Sequence, residues 1–372
     1  MYRIAFLVTR SDTIGGSHIH VRDMAKSLYK NGHQAVVLIG GDGPIIEHFR
    51  NAGIVTEVIP NLCRDIEPLN DVRAYINIKD VLERYRPNLV STHSSKAGFL
   101  GRIAARRLNI PALFTAHGWS FTSGKRIHHR IIYKTLERLV LPITDKIITV
   151  SNYDKNLALT SFGLSDKKVI TIHNGIVDSD RTKNRVQQDS GLVHIIKVAR
   201  FDSQKNHLEL LDAVKNIKGI HLHFVGDGPL MNIVKKRVTD FNLTDYTTFW
   251  GRLENVSEVL SASQIFILIS NWEGFPRSTL EAMRHSLPVI VSDVGGAAEA
   301  VDHNVTGYVV KKGDVQSLKN HIIELVQNPE KRIDMGMMAR EKYVEQFTFD
   351  RMYDDTLAVY DEVLEKSRGE FK

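Results

Sequence analysis

Cysteine is almost missing: Cys63 stands alone among 372 residues. No intrachain disulfide can form, and no cysteine-based zinc knuckle can be built. Long apolar runs are missing too. The stretch from Ile265 to Ile269 is far short of the roughly 18 residues a membrane-crossing helix needs. The opening Met1-Tyr2-Arg3-Ile4-Ala5-Phe6-Leu7-Val8-Thr9 reads as a first strand. Its apolar part is too short, and its start too weakly basic, for a signal peptide. A cytoplasmic, reducing setting is the expectation. Three motifs are also absent. Without G-x-x-x-x-G-K-[ST] there is no P-loop, and without G-x-G-x-x-G a dinucleotide dehydrogenase lacks support. Without G-x-S-x-G there is no nucleophile elbow. No charge of one sign dominates: 49 Lys and Arg face 43 Asp and Glu, a net +6. The pI of about 9.2 permits contact with an anionic surface without requiring it. Acids and bases are evenly mixed, so a nucleic-acid binder, whose affinity would fall steeply with salt, is not favoured.

What is present is the composition of a globular protein, 42% hydrophobic and 25% charged. Short apolar runs alternate with amphipathic stretches. Arg3–Val8, Ala35–Ile39, Ile54–Ile59, Asn88–Thr92, Ala112–Thr115, Lys146–Val150 and Val169–Ile172 read as strands. Several are continuously apolar, as buried parallel strands are. Val21, Met24 and Leu28 recur at helical spacing, predicting a helix over His18–Asn31 that ends at Gly32. The polar stretch from Asp178 to Gly191 lacks periodicity and reads as a linker. Alternation then restarts at His194–Val198, His221–Val225, Gln264–Ile269 and Pro288–Ser292. The expectation is two doubly wound α/β domains, residues 1–177 and 178–348. A last amphipathic helix, from Phe349 to Glu365 within residues 349–372, is expected to pack back on the first domain.

Open α/β sheets bind ligands outside the carboxyl ends of their strands. In the second half those ends are rich. Arg200 and Lys205 share a strand-to-helix loop and suit a diphosphate. Gly226-Asp227-Gly228-Pro229 is a tight turn. Glu273-Gly274-Phe275-Pro276-Arg277-Ser278-Thr279-Leu280-Glu281 leads into a helix, with Ser278 or a neighbour as the expected N-cap. N–H groups at that helix start can hold a phosphate. Gly295-Gly296-Ala297-Ala298-Glu299 is a further glycine loop. Carboxylates beside phosphate ligands make sense if they grip sugar hydroxyls, so the residues point to a nucleotide diphosphate bearing a polyol. The first half offers Gly15-Gly16, His93 and His117-Gly118 at strand ends. His18 and His20 do not share a helix face, so no metal pair is expected there. Asp178-Ser179-Asp180 has the spacing of a cation ligand but lies in the linker, and no metal site is assigned.

Arg200-x4-Lys205 followed by Glu273-x7-Glu281 resembles the retaining glycosyltransferases of family 4. Gly15-Gly16, His117-Gly118, Asn174-Gly175, Gly226-Asp227-Gly228 and Gly295-Gly296-x-x-Glu299 fall in that family's order, across essentially the whole chain. The resemblance implies the GT-B fold, two Rossmann-like domains facing a central cleft. It implies that Arg200 and Lys205 bind the donor diphosphate and stabilise the leaving group. Glu273 would hold donor-sugar hydroxyls, with the Gly274-Phe275 backbone beside it. Backbone near Thr279 and Leu280 would bind phosphate, Glu281 the ribose, Gly15 and Gly16 the β-phosphate side, and Gly226 the donor site. His117 would contact the sugar. No cofactor and no metal are required by the resemblance, and the reaction would retain configuration by front-face attack.

The segment from Trp119 to Leu141 bears Lys125, Arg126, His128, His129, Arg130, Lys134 and Arg138 among apolar residues. It reads as a basic amphipathic helix suited to an anionic membrane surface, with packing on the first domain as the alternative. The string Thr115-Ala116-His117-Gly118-Trp119-Ser120-Phe121-Thr122 and the pair Pro276-Arg277 are similar to bacterial members that build capsule, O-antigen or exopolysaccharide. A UDP-hexose or UDP-N-acetylhexosamine donor is implied, with a polyprenyl-diphosphate-linked saccharide acceptor at the inner face of the cytoplasmic membrane. A small soluble acceptor and a UDP-sugar 2-epimerase of the same architecture stay open. The oligomeric state is unassigned.

Overall fold

The strands of this chain, seen in a computed structural model, form two separate parallel sheets. All residues are described except 13–14, 123–126, 179–190 and 370–372, and the side chains of 368 and 369. The chain divides into two units: Met1–His173 with Met352–Lys372, and Asn174–Arg351.

The first unit holds a sheet of seven strands: β1 (Arg3–Val8), β2 (Gln34–Gly40), β3 (Val55–Ile59), β4 (Leu89–Thr92), β5 (Ala112–Ala116), β6 (Lys146–Thr149) and β7 (Val169–Thr171). Their order is β3-β2-β1-β4-β5-β6-β7, with every pair parallel. The crossovers are α1 (Gly16–Lys30), α2 (Ile45–Asn51), α3 (Pro68–Tyr85), α4 (Ser95–Arg107), α5 (Ile127–Val140) and α6 (Asn152–Phe162). Ile4 to Leu7 and Ala35 to Ile39 are wholly buried. That is why these strands read as continuous apolar runs rather than as alternations.

The second unit holds β8 (Val193–Val198), β9 (Ile220–Val225), β10 (Thr247–Gly251), β11 (Ile265–Leu268), β12 (Val289–Ser292) and β13 (Gly307–Val310). Their order is β10-β9-β8-β11-β12-β13, again parallel. Its helices are α7 (His207–Val214), α8 (Met231–Asp240), α9 (Ser257–Ser261), α10 (Arg277–Arg284), α11 (Val315–Gln327) and α12 (Pro329–Gln346). The last helix, α13 (Phe349–Gly369), passes from one unit to the other in sequence. At its start Phe349 N donates to Ile176 O at 2.8 Å. Further on, Tyr360 Oη donates to Ser91 Oγ at 3.1 Å, inside the first unit.

Three local expectations need correction. The first helix begins at Gly16, not His18, because extended Gly15 serves as its N-cap. Residues 119–122 are not helical, and the helix of this segment is described only from Ile127 to Val140. Trp119 and Phe121 are instead buried in the first unit's core, where Trp119 Nε1 donates to Asp154 O at 2.9 Å. Strands β10 and β13 were not anticipated: β10 is an edge strand with an exposed Trp250, and β13 is a short run beginning at a glycine. Of the proposed linker only its ends are described. Asp178 there pairs with Arg340 Nη2 at 2.5 Å, while Ser179 and Asp180 lie outside the described residues.

Candidate active site

In the second sheet the strand order reverses between β8 and β11. Loops leaving neighbouring strands at such a reversal diverge and open a ligand crevice. The loop after β8 carries Arg200 to Lys205, and the loop after β11 carries Asn271 to Pro276. They are stitched together. Asn271 N donates to Gln204 O at 2.7 Å, Asn271 Nδ2 to Ser203 O at 2.7 Å, and Gln204 Nε2 to Trp272 O at 2.8 Å. Across this seam Lys205 Nζ meets Glu273 Oε1 at 2.5 Å. Gln204 Nε2 lies 3.3 Å from the other oxygen, Oε2. The Glu273 side chain is only 5% exposed, so its charge needs these partners. Arg200 is different. Its side chain is 45% exposed and lies 3.8 Å from Asp202, leaving it able to reach a ligand in solvent.

Two glycines let the surrounding loops close. Gly295, after β12, has φ +56°, and a Cβ there would lie 1.9 Å from Glu273 O. Gly226, after β9, has φ +139°, and a Cβ would lie 2.1 Å from Ala199 O, beside Arg200. Gly226, read as a donor-site residue, thus also has a packing reason to be glycine. Gly274 is half-buried in the same loop as Glu273. Phe275 is buried against Phe347, and its carbonyl accepts from Asn174 Nδ2 at 2.8 Å.

Helix α10 follows. Its N-cap is Pro276, in extended conformation, and not Ser278 as expected. Proline pre-sets φ but offers no side-chain acceptor, so no side-chain cap forms. A helix starting at Arg277 leaves the N–H groups of Ser278 and Thr279 without acceptors inside the helix, whereas that of Leu280 is the first with one. Thr279 and Leu280 are both buried, and Thr279 Oγ1 has no hydrogen-bond partner among the described residues. Glu281 sits half-buried one turn along.

One residue escaped the sequence reading. Lys197 lies inside β8, is fully buried, and donates from Nζ to Ile269 O at 2.8 Å. Burial, reinforced by repulsion from Lys205, pushes its pKa down to about 7. The available signal was a lysine inside an otherwise apolar strand.

In the first sheet the order reverses between β1 and β4. Gly15 N donates to His18 Nδ1 at 3.1 Å, and His18 Nε2 bonds Arg10 O at 2.7 Å. That fixes His18 as the Nε2–H tautomer, and burial lowers its pKa. His18 thus braces the loop that ends at Gly15 and exposed Gly16. His93 and His117 leave β4 and β5 side by side, with His93 Nδ1 3.1 Å from His117 Nε2. His20, on α1, joins them. Burial first, and His117 second, hold the His93 pKa well below its ordinary value.

The basic segment is split. Lys125 and Arg126 lie outside the described residues. On α5, Tyr133, Glu137 and Val140 turn inward. Glu137 Oε1 pairs with the fully buried Arg102 Nη2 of α4 at 2.6 Å. Arg102 is fixed further by Gly98 O, Thr144 Oγ1 and the Phe114 ring. This anchor sets the rotation of α5, so Ile127, Ile131 and Leu139 remain more than 60% exposed. Arg130 bonds Phe121 O at 2.9 Å, and Lys134 Nζ lies 6.0 Å from the Phe162 ring centre. Among the described residues no helix is long and apolar enough to cross a membrane.

Both halves of the chain match known protein families. The sequence profile for Glycosyltransferase Family 4 matches residues 14–180, and that for Glycosyl transferases group 1 matches residues 178–342. The chain is 31% identical to the Escherichia coli UDP-Gal:alpha-D-GlcNAc-diphosphoundecaprenol alpha-1,3-galactosyltransferase, over 86% of each chain. It is 24% identical to the Bacillus anthracis N-acetyl-alpha-D-glucosaminyl L-malate synthase, over 97% of this chain and 98% of the relative. Among solved structures, Anabaena Alr3699/HepE in complex with UDP-glucose superposes with a TM-score of 0.83. That match has 20% identity and covers 97% of this chain and 100% of the other. Two parallel α/β units, family profiles over both, and a relative at this identity lead to one assignment: the chain belongs to glycosyltransferase family 4 and is a glycosyltransferase of the GT-B fold.

Proposed function

We propose that this enzyme moves a hexose or N-acetylhexosamine from a UDP-sugar to a lipid-linked saccharide, in cell-surface polysaccharide synthesis. The observation that carries the reading is the Lys205–Glu273 contact across the β8/β11 crevice, with Arg200 exposed on the same loop. A polyol diphosphate needs cations for its phosphates and a carboxylate for its hydroxyls, and this crevice offers both together. As the glycosidic C–O bond breaks, negative charge grows on the departing diphosphate. Arg200, Lys205 and the first-turn N–H groups of α10 stabilise that charge without reorganising. Two cations on one loop can do what a divalent ion would otherwise do for the diphosphate, so transfer proceeds without a metal. Glu273 accepts hydrogen bonds from sugar hydroxyls, Glu281 from the ribose, and His117 contacts the sugar. The acceptor hydroxyl attacks the face that the diphosphate leaves, passing its proton to the leaving phosphate and retaining configuration.

The acceptor half of the reading rests on α5 and on the diphosphoundecaprenol named for the E. coli relative. Exposed Ile127, Ile131 and Leu139 beside Arg130, Lys134 and Arg138 suit the inner, anionic face of the cytoplasmic membrane. The malate-synthase relative favours a second reading, a small soluble acceptor.

Thermal unfolding in EDTA with UDP, GDP, ADP or NAD at about 1 mM tests the donor, because a ligand of the folded state raises stability by RT ln(1 + [L]/Kd). A shift with UDP alone is expected. A shift with GDP or ADP alone changes the donor, and no shift removes the diphosphate site. Glu273→Gln should lower transfer about 10²–10³-fold while keeping the UDP shift. Flotation with anionic vesicles tests the acceptor side. Binding lost in Arg130→Glu/Lys134→Glu supports the membrane reading, and no binding favours the soluble acceptor.

A further inference from the structure

Three imidazoles meet at the carboxyl end of the first sheet, in a group that the donor chemistry does not require as a set. His20 comes from α1, His93 from the end of β4, and His117 from the end of β5. Strands β1, β4 and β5 are consecutive in that sheet, and α1 follows β1, so the three side chains rise from neighbouring positions. One ring nitrogen from each lies within 4.8 Å of the other two. Ring centres are 5.0 to 5.4 Å apart. We propose that His20, His93 and His117 form a binding site for a divalent transition-metal ion of the zinc class.

The geometry is close to what such an ion needs. Zinc–nitrogen bonds of about 2.0–2.1 Å in a tetrahedron place ligand nitrogens about 3.3 Å apart. His93 Nδ1 and His117 Nε2 already stand at 3.1 Å. Drawing in the third nitrogen takes a side-chain rotation of about 1.5 Å or less, from the 4.8 Å limit. Three neutral nitrogens with a fourth position for water are the ligand set of an open zinc site. Imidazole donors with no carboxylate among them select zinc, cobalt, nickel or copper over magnesium or calcium.

A supporting layer is present. His93 Nε2 lies 3.0 Å from Ser91 Oγ, and Ser91 Oγ accepts from Tyr360 Oη at 3.1 Å. Ser91 and His93 are two apart, so their side chains emerge on the same side of the chain. With Tyr360 donating to Ser91, the serine oxygen can accept from His93 Nε2–H. That tautomer leaves the Nδ1 lone pair directed at the cluster. Metal-bound histidines are commonly fixed by such an outer hydrogen bond. On the other sheet His223 is hydrogen-bonded to His194 at 2.8 Å and to Trp250 at 3.1 Å, so it serves as a histidine control outside the proposed site.

The test titrates the full chain, stripped with EDTA and desalted, with Co²⁺ and then Zn²⁺. The proposal expects one Co²⁺ per chain with the visible bands of a tetrahedral nitrogen site, bleached by Zn²⁺ and unaffected by excess Mg²⁺. His20→Gln and His117→Gln should each abolish the bands, while His223→Gln keeps them. Ser91→Ala should weaken binding about 10–100-fold. Zn²⁺ should raise the unfolding temperature of the parent chain but not of His20→Gln. Melting in EDTA identifies any variant that is simply unfolded, and the remaining ligand variant then decides. The proposal is overturned if no stoichiometric cobalt spectrum develops, if Mg²⁺ competes equally, or if the bands survive in folded His20→Gln and His117→Gln. Because the readout is metal binding without donor or acceptor, its failure is separate from any failure of the transferase reading.

Discussion

Gly295→Ala asks whether the carboxylate of Glu273 is held in place by the loop after β12. Two costs act on an alanine here. The first is conformational: φ is +56°, in the left-handed region, which costs an L-residue roughly 1–2 kcal/mol. The second is steric. The new Cβ would lie 1.9 Å from Glu273 O, where ordinary contact begins at 3.4 Å, so about 1.5 Å must be found. The obstacle is backbone, so no flexible side-chain end can swing aside. The Glu273 peptide must move, drawing its carboxylate from Lys205 Nζ. Overpacking of this kind costs a further ~1–3 kcal/mol, and a misplacement of about 1 Å can cost about 10² in rate. Gly219→Ala is the matched control, because φ is +77° there and no atom of the described residues lies within 4 Å of the added Cβ. It bears only the first cost. Denaturant unfolding followed by circular dichroism should rank Gly295→Ala below Gly219→Ala by ~1–3 kcal/mol. Sugar transfer should fall about 100-fold in Gly295→Ala and stay near the parent level in Gly219→Ala. If the two variants match in stability and in turnover, the close approach does not position Glu273.

Other outcomes follow from buried charge. The folded chain releases the Lys197 proton above about pH 7, while the unfolded chain keeps it to about 10.5. Between those values the unfolded state binds more protons, so this group's contribution to stability rises with pH. Lys197→Met should therefore stabilise by a few kcal/mol below about pH 7, with the advantage shrinking as pH rises toward 10. Unfolding curves at two pH values check this, and a constant difference contradicts it. Arg102→Met strands Glu137 in the core and should cost about 3–5 kcal/mol, most of it recovered in Arg102→Met/Glu137→Leu. A double variant as unstable as the single one would mean that the pair itself, and not the stranded charge, holds α5.

Much of the framework was legible because it is local. Continuous apolar runs mark buried parallel strands wherever they lie in the chain, and β1, β2, β8 and β9 were found within one residue of their ends. Gly32, expected at a helix end, does have a positive φ of 77°. The misses are places where local signals mislead. Trp119 and Phe121 belong to a basic, amphipathic-looking segment, yet they fill the core instead of extending a helix. Pro276, rather than the serine two residues on, begins α10. Edge strand β10 carries too little buried surface to read as a strand.

The candidate site divides in the same way. The sequence by itself determined which residue types stand at the strand ends: Arg200, Lys205, Glu273, Glu281, His117 and the glycines among them. It did so because turns and helix starts leave short-range marks. Only the tertiary structure decided which of them meet. Lys205 reaches Glu273 across 68 residues because β8 and β11 are neighbours, a consequence of sheet order that no spacing encodes. Sheet order likewise gathers His20, His93 and His117, and brings Lys197 to the carbonyl of Ile269. Helix α5 shows the same limit at a smaller scale. Its periodicity shows that it has apolar positions, but the buried Arg102–Glu137 pair decides which of them face solvent. Periodicity records what each segment can bury, whereas the partner it is buried against is fixed by strand order and register, which form only when the whole sheet does.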